Sequence, residues 1–523
     1  MFRKLNSCFN NIFQNKIFSV NQNCQAFYMI LTLVRWFSLT AFISGWLLSL
    51  RVNKDFSVKH LARITPSAEQ LKIISTNQLG AELIRGSAGS GKTTTALLRL
   101  SSLANMMRAK KDRVDDPSPV KVLLLTFNRT LAGYVTALAE SQVGETGHAI
   151  EISTFAKWAV NKLGIYNTNA NEAYDYLNAL SACFQGLETK YVVQEVDYLL
   201  GRFEPEDLEL YITTERTGRG ALPRVGAELR RRILDTIVYP YLQYLEQNNW
   251  LDWNRLAIKM RTDLPSLSYD LVVVDESQDF SANQIRTIKH HLAREHAVTF
   301  VIDTAQRIYA RGFTWVEAGV TISANRSHLL GENHRNTREI AAFAAGIMNG
   351  LVVDSDGALP DLNAAGTRGM LPEVISGRYQ AQMNWAVNYI KNQVDLANET
   401  VAFLKPEGGA WFRAIESKLE EEGIEFVKIQ RNAEWPEGNE NVALSTFHSA
   451  KGLEFDHVII IGFNQENTQF GVEEFSDQIV VLRRLLAVAV ARARKHVVVG
   501  YKTGEESRLV DYFEPGTYRE VVL

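Results

Sequence analysis

Residues 82–100, ELIRGSAGSGKTTTALLRL, decide how this chain reads. An apolar strand ending at Ile84 runs into the loop GSAGSGKT, residues 86–93, which opens into a helix-like run over 92–108. Gly86, Gly89 and Gly91 let the backbone curl with its N–H groups pointing inward, at the amino end of a helix whose dipole favours an anion. Ser87, Ala88, Ser90 and Thr94 complete the lining of this cradle. Lys92 is placed to reach the β and γ phosphates of a nucleoside triphosphate, and Thr93 to ligate Mg²⁺ through its hydroxyl. A glycine turn can match part of this pattern by chance; the strand–loop–helix order separates the full pattern from such a turn.

Outward from the loop, the chain alternates strands and helices. The runs VLLLTF (122–127), LVVVDE (271–276) and VTFVID (298–303) are short and continuously apolar, as parallel strands covered on both faces are. A second α/β unit follows in VAFLKP (401–406), IEFVKI (424–429), NVALSTF (441–447), HVIIIGF (457–463) and KHVVVGY (495–501). Between Lys157 and Asp270 the pattern is helical, and Pro/Gly-rich residues 356–372 connect or decorate the two units. In LVVVDESQDF (271–280) the acids stand at a strand tip, where an open parallel sheet binds its ligands. An acidic pair at a strand end alone is often a helix cap. Joined to the phosphate loop it forms a hydrolytic site, with Asp275 holding Mg²⁺ and Glu276 orienting and deprotonating the attacking water.

Composition bounds the partners. With 56 Lys+Arg against 59 Asp+Glu the formal charge is −3, so a polyanion would need a local basic or aromatic groove. Cys8, Cys24 and Cys183 are too few and scattered for a disulfide framework or a zinc cluster, which fits a reducing, cytoplasmic setting. Residues 26–50, AFYMILTLVRWFSLTAFISGWLLSL, carry only Arg35 as a charge. At about 1.5 Å rise per residue the run is long enough to span a bilayer core, although Arg35 near its middle is costly there. Membrane contact through 26–50, a helix packed on the protein or a partner, and an upstream sequence with little structural role are all open readings.

The DESQD at 275–279, together with the phosphate loop, resembles the superfamily 1 helicases of the UvrD/Rep/PcrA group over about residues 65–503. The resemblance implies an α/β P-loop NTPase with two RecA-like parallel-sheet domains and a helical insertion in the first. ATP would lie in the cleft between the domains, and the motor would move 3′ to 5′ on single-stranded DNA. It implies that Gln70 in PSAEQ reads adenine, that Gln306 in DTAQRIY (303–309) senses the γ phosphate, and that Arg335 in ENHRN and Arg492 in RRLLAVAVARAR (483–494) are arginine fingers. In STFHSAKGLEFD (445–456) it places Glu454 at the nucleotide sugar and Thr446, His448 and Lys451 toward DNA. Phe127, Asn128 and Arg129 in TFNRTLA and Phe155 and Lys157 in TFAKWA resemble first-domain DNA contacts. Phe127 and Phe155 read equally well as core residues, and Arg129 and Lys157 as solvated charges.

Departures from the family pattern are specific. The stacking Trp expected after the third motif is missing, leaving Tyr309, Phe313 or Trp315 as replacements. His334 stands where Tyr is usual, and Ala491 where Thr is usual. Roughly 110 residues separate Arg335 from Thr446, too few for the large second-domain insertion of typical relatives. The expected layout is an extension (1–60), a first RecA-like domain (61–160 and 266–330), a mostly helical insertion (161–265), and a second RecA-like domain (331–523) with little or no insertion. This economy resembles the small helicase subunits of Gabija-type phage-defence systems and implies a nuclease or other protein partner. The expected function is an ATP-dependent helicase acting on single-stranded or tailed duplex DNA. The alternative is a nucleic-acid-stimulated ATPase serving as sensor or accessory subunit of a repair or phage-defence complex, without autonomous unwinding.

Overall fold

The computed structural model describes residues 66–86, 90–126, 147–165, 168–216, 223–303, 312–330, 336–351, 367–406, 411–429, 440–450, 453–468 and 477–523. The apolar run 26–50 lies outside them. The first sheet contains β1 (Gly80–Gly86), β2 (Val120–Thr126), β3 (His148–Thr154), β4 (Tyr269–Val274), β5 (Leu292–Asp303) and β6 (Ser327–Leu330). Their order is β3-β2-β4-β5-β1-β6, and every neighbouring pair is parallel.

The apolar runs are explained by burial on both faces. Alternate residues of one strand enter two different cores: Val122, Leu124, Leu271 and Val273 face one, while Leu123, Leu125, Val272 and Val274 face the other. Helices α1 (Ala68–Ile74) and α2 (Lys92–Asp112) cover the first face, α2 through Ala96, Leu97, Leu100, Leu103, Ala104 and Met107 at helical spacing. Helix α3 (Phe155–Leu163) covers the second face with Phe155, Trp158 and Ala159.

The helical stretch continues as α4 (Ala170–Ala182), α5 (Thr189–Arg202) and α6 (Ala227–Ile233). A π-helical turn over Leu234–Val238 leads into α7 (Tyr239–Gln247), just ahead of Pro240, which has no N–H to give the helix ladder. These helices share a core of their own, running from Ala173 to Leu245. Helix α8 (Trp253–Asp263) was expected within the insertion, but Leu256, Ala257 and Met260 enter the core beneath the first sheet. Periodicity marks a helix without saying what its apolar face meets. Helix α9 (Ala282–His290) follows the acidic loop and packs in that same core through Ile285 and Ile288.

The second sheet has the order β13-β7-β12-β11-β8-β10-β9 and is again wholly parallel. Its strands are β7 (Glu373–Ser376), β8 (Val401–Lys405), β9 (Val427–Ile429), β10 (Val442–Thr446), β11 (Phe455–Ile460), β12 (Ala493–Tyr501) and β13 (Arg519–Val522). Helices α10 (Arg338–Met348) and α13 (Asp477–Val490) contribute to one core, and α11 (Tyr379–Gln393) and α12 (Trp411–Glu421) to the other.

A buried polar network ties the helix after the phosphate loop to its sheet. Arg99 on α2 is fully buried, donating to Thr299 Oγ1 at 2.7 Å and Gln78 O at 3.2 Å, and lies 3.6 Å from the Glu82 carboxylate on β1. Glu82 also meets His328 Nε2 on β6 at 2.6 Å. Arg99→Met would remove one partner of a buried ion pair and leave Glu82 with His328, a loss that typically costs up to about 3–5 kcal/mol. We expect a loss of that size in urea unfolding followed by tryptophan fluorescence, with partial recovery in Arg99→Met/Glu82→Gln. A double variant no more stable than the single one would show that stranded charge is not the cause.

Candidate nucleotide and DNA site

Lys92, Thr93, Asp275 and Glu276 stand just beyond the carboxyl ends of β1 and β4, where the crevice of an open parallel sheet lies, whereas Gln70 comes from α1, ahead of β1. Strand β1 ends at Gly86. A Cβ there would sit 2.5 Å from Ser90 Oγ and 2.7 Å from Leu330 O, so only glycine lets the loop fold against β6. Gly91 adopts φ +75°, and a Cβ on it would fall 2.4 Å from Gln70 Nε2. Ser87, Ala88 and Gly89 lie outside the described residues.

Gln70 is buried and grips the loop. Ser67 caps α1, and Gln70 closes the capping box by accepting from Ser67 N at 3.0 Å. Its Nε2 donates to Ser90 O at 3.1 Å. The glutamine assigned to adenine therefore also fixes the backbone of the phosphate loop, a role with no mark in the sequence.

Lys92 and Thr93 open α2, with Thr94 beside them, and Lys92 is buried. Thr93 Oγ1 lies 3.2 and 3.1 Å from the two carboxylate oxygens of Asp275. Burial, and then the adjacent Glu276 charge, push the Asp275 carboxyl above the usual carboxylate range. A hydroxyl and a carboxylate converging in a buried spot with excess negative charge suit Mg²⁺, which takes one or two protein oxygens and fills its shell with phosphate and water. Among the described residues no cluster of three or more His, Cys, Asp or Glu offers an all-protein metal site.

Glu276 follows Asp275 in the left-handed region, at φ +52°, a conformation costly for a residue with a Cβ. The surroundings hold it there. Asp275 N continues the ladder to Leu125 O at 2.8 Å, Ser277 Oγ donates to Val301 O at 2.9 Å, and Gln278 Nε2 donates to the Glu276 carboxylate. The glutamine inside DESQD thus orients the Glu276 carboxylate, which its position in the motif alone did not reveal.

The second sheet separates the two sets of residues assigned to STFHSAKGLEFD. Thr446 is the last residue of β10 and accepts from Ser449 N at 3.1 Å in the turn that carries His448. Glu454 instead immediately precedes β11, so the stretch crosses from the carboxyl edge of the sheet to its amino edge. There Arg494 pairs with Glu454, a partner the sequence did not suggest. Arg492 lies just before β12 at the same edge, buried, with Nη1 3.4 Å from Leu453 O. Asn336, the residue after Arg335, donates to Ala491 O and Ala493 O at 3.0 and 2.5 Å, so the two arginine-bearing segments are stitched together around Arg492.

Phe155 is 4% exposed, its ring edge-on to Trp158 and Phe280. That burial matches the core reading, one of the two that the sequence left open for Phe155. Lys157, two positions on, is exposed in the first turn of α3. Trp315 packs its ring 4.6 Å from that of Phe300 on the same core, with Phe313 beside it. Phe127, Asn128, Arg129, Gln306, Tyr309, Arg335 and Lys451 lie outside the described residues.

Residues 67–322 match the UvrD/REP helicase N-terminal domain, and residues 430–504 match the UvrD-like helicase C-terminal domain. The chain belongs to the UvrD/REP helicase family. As a member, it is by class an ATP-hydrolysing DNA helicase. It is 22% identical to the probable DNA helicase of Mycoplasma pneumoniae over 87% of this chain and 86% of that protein. It is 25% identical to the ATP-dependent DNA helicase PcrA of Bacillus subtilis over 51% of this chain and 37% of PcrA. It is 22% identical to the probable DNA helicase II homolog of Mycoplasma capricolum over 69% of this chain and 52% of that protein. This helicase thus matches nearly the whole length of one relative and about half or less of the other two.

Glu276→Gln is expected to leave nucleotide affinity within about threefold and to slow turnover by about 10²–10⁴, the usual contribution of a positioned base. Gln278→Leu, which releases the Glu276 carboxylate, should lower kcat with affinity likewise preserved. Fluorescent-nucleotide titration and phosphate release measure the two quantities. Loss of affinity in step with loss of turnover would move Glu276 into the binding set.

Proposed function

We propose that this chain is a single-stranded DNA translocase that moves 3′ to 5′ and separates strands, hydrolysing Mg-ATP between its two parallel-sheet units. The observation that carries the proposal is the crossing of residues 445–456, which join Thr446 at one edge of the second sheet to Glu454, beside Arg492, at the other. A strand held at Thr446 and a nucleotide held near Glu454 and Arg492 would then share one short, well-packed connection. Phe447, Ala450 and Leu453 within it are buried in the core, so displacement at one end is passed on rather than absorbed.

In this mechanism the backbone N–H groups of the phosphate loop and Lys92 hold the triphosphate. The carboxylate of Glu276, aimed by Gln278, takes a proton from the attacking water. Bound Mg²⁺, held by Thr93 and Asp275, would neutralise charge on the phosphates. Arg335 and Arg492 would stabilise charge on the transferred phosphoryl when the units close, which makes closure a condition of turnover. Gln306 would report the γ phosphate to the strand. Phe127, Asn128, Arg129, Lys157, Tyr309, His448 and Lys451 would form a track with little base preference. Because the formal charge is −3, such binding depends on the local track rather than on long-range attraction.

Duplexes with a 3′ or a 5′ single-stranded tail test the polarity. Displacement confined to 3′ tails is expected, and displacement confined to 5′ tails would overturn it. Unwinding that begins only when a nuclease or other protein is added would favour the accessory-subunit reading.

The proposed location is the cytoplasm, with residues 26–50 making membrane contact. No described helix is long and apolar enough to cross a membrane. Carbonate extraction of the full chain against a version beginning at Lys59 should leave only the full chain with membranes. If both stay soluble without detergent, the contact is refuted.

A further inference from the structure

The carboxyl end of α5, in the helical insertion, is fitted over the start of α9, which begins directly after the acidic loop. Ser281 caps α9 two residues beyond Asp279, and a Cβ on Gly201 would lie 2.9 Å from Ser281 Cβ. Glycine at that position lets the two backbones meet. Asn283, buried on the first turn of α9, donates to Leu200 O at 2.9 Å and Phe203 O at 2.8 Å, consuming carbonyls that the end of α5 leaves without helical partners. One turn on, Arg286 donates to Arg202 O at 2.9 Å and to Glu317 O at 3.0 Å.

Glu317 closes the arrangement. One of its carboxylate oxygens accepts from Arg202 Nη2 at 2.6 Å, and the other accepts from Thr314 N at 2.6 Å and Thr314 Oγ1 at 3.1 Å. Arg202, buried at the last position of α5, also donates to Glu215 O at 2.8 Å and to the Tyr198 hydroxyl. Thr314 comes shortly after the 303–309 segment that contains Gln306. The acidic loop, the chain following the γ-phosphate segment and the end of α5 are therefore bound to one another through four side chains.

We propose that Arg202, Asn283, Arg286 and Glu317 form a clasp that couples the nucleotide edge of the first sheet to the helical insertion, making them positioning residues for DNA-stimulated ATP hydrolysis. This rests on the DNA-translocase reading above. Asp279 and Ser281 are adjacent links of one short, buried segment, so a shift of the acidic loop carries the start of α9 with it. Most of α5 is buried in the insertion's own core, and a close-packed helix moves as a body. The insertion would follow the nucleotide state, and a strand bearing on the insertion would bias the acids in return.

The test measures phosphate release by the full chain with and without a poly(dT) oligonucleotide, in wild type, Glu317→Gln, Asn283→Leu and Gly201→Ala. Coupling between sites is commonly worth about 5–150-fold. The variants are expected to lose at least about fivefold of the stimulation, while basal turnover and the KM for ATP stay within about twofold and poly(dT) affinity by fluorescence anisotropy is retained. A scaffold role would instead lower the melting temperature and leave stimulation intact, which overturns the clasp. Gly201→Ala parts α5 from Ser281 without removing a charge, so stimulation retained in that folded variant overturns it too. Wild-type hydrolysis indifferent to poly(dT) overturns the translocase reading itself, separately from any variant.

Discussion

Thr93 and Asp275 meet at 3.1–3.2 Å across 182 positions of sequence. Their meeting depends on strand order. Only β5 stands between β1, which delivers Thr93 through the phosphate loop, and β4, which ends at Asp275. Parallel pairing brings both carboxyl ends to the same edge, and α2 lies across the face of that sheet with its start at the gap. The buried network of Arg99, Glu82, Thr299 and His328 fixes α2 to β1, β5 and β6 below the loop, so the loop rests on a frame attached at three strands.

That convergence has an electrostatic cost. Asp275 is buried beside Glu276, and its carboxyl titrates above the unfolded value. The folded state therefore binds the proton more tightly than the unfolded one, and stability falls as pH rises from the unfolded pKa through the raised folded one. Above that window the two adjacent carboxylates repel one another, and a bound divalent cation would relieve that repulsion. Glu276 adds backbone strain at φ +52°. In the proposed mechanism Mg-nucleotide would bind where both features are concentrated.

Legibility in the sequence followed burial on two faces. Strands β2, β4, β8, β11 and β12 announced themselves as continuous apolar runs because their alternate residues fill separate cores. The strands that escaped notice are β3, β6 and β13 at sheet edges and the four-residue β7, where polar residues intrude or the run is too short to carry a period. Within the site, residues set by local backbone geometry were readable, as with Lys92, Thr93, Asp275 and Glu276. Residues defined by what arrives from elsewhere were not. Gln70 bonding Ser90, Gln278 aiming Glu276 and Asn336 bridging Ala491 and Ala493 have no local signature. Phe155 and Lys157, two positions apart on α3, show the same limit: the motif named both, but the helix turns one into the core and the other to solvent.

In the proposed mechanism two features would carry a change at the phosphates through the molecule. One lies in the second sheet, where 445–456 pass from Thr446 to Glu454 through buried Phe447, Ala450 and Leu453. The other lies in the first, from the acidic loop through Ser281 and Asn283 into α5. They differ in what fastens them. The second-sheet route is packed mainly by apolar side chains, which are nondirectional; the α5 contact is held by directional bonds to Arg202, Asn283, Arg286 and Glu317, which fix register. In the proposed motor the close-packed crossing would pass displacement along, and the polar clasp would keep α5 in register with the acids.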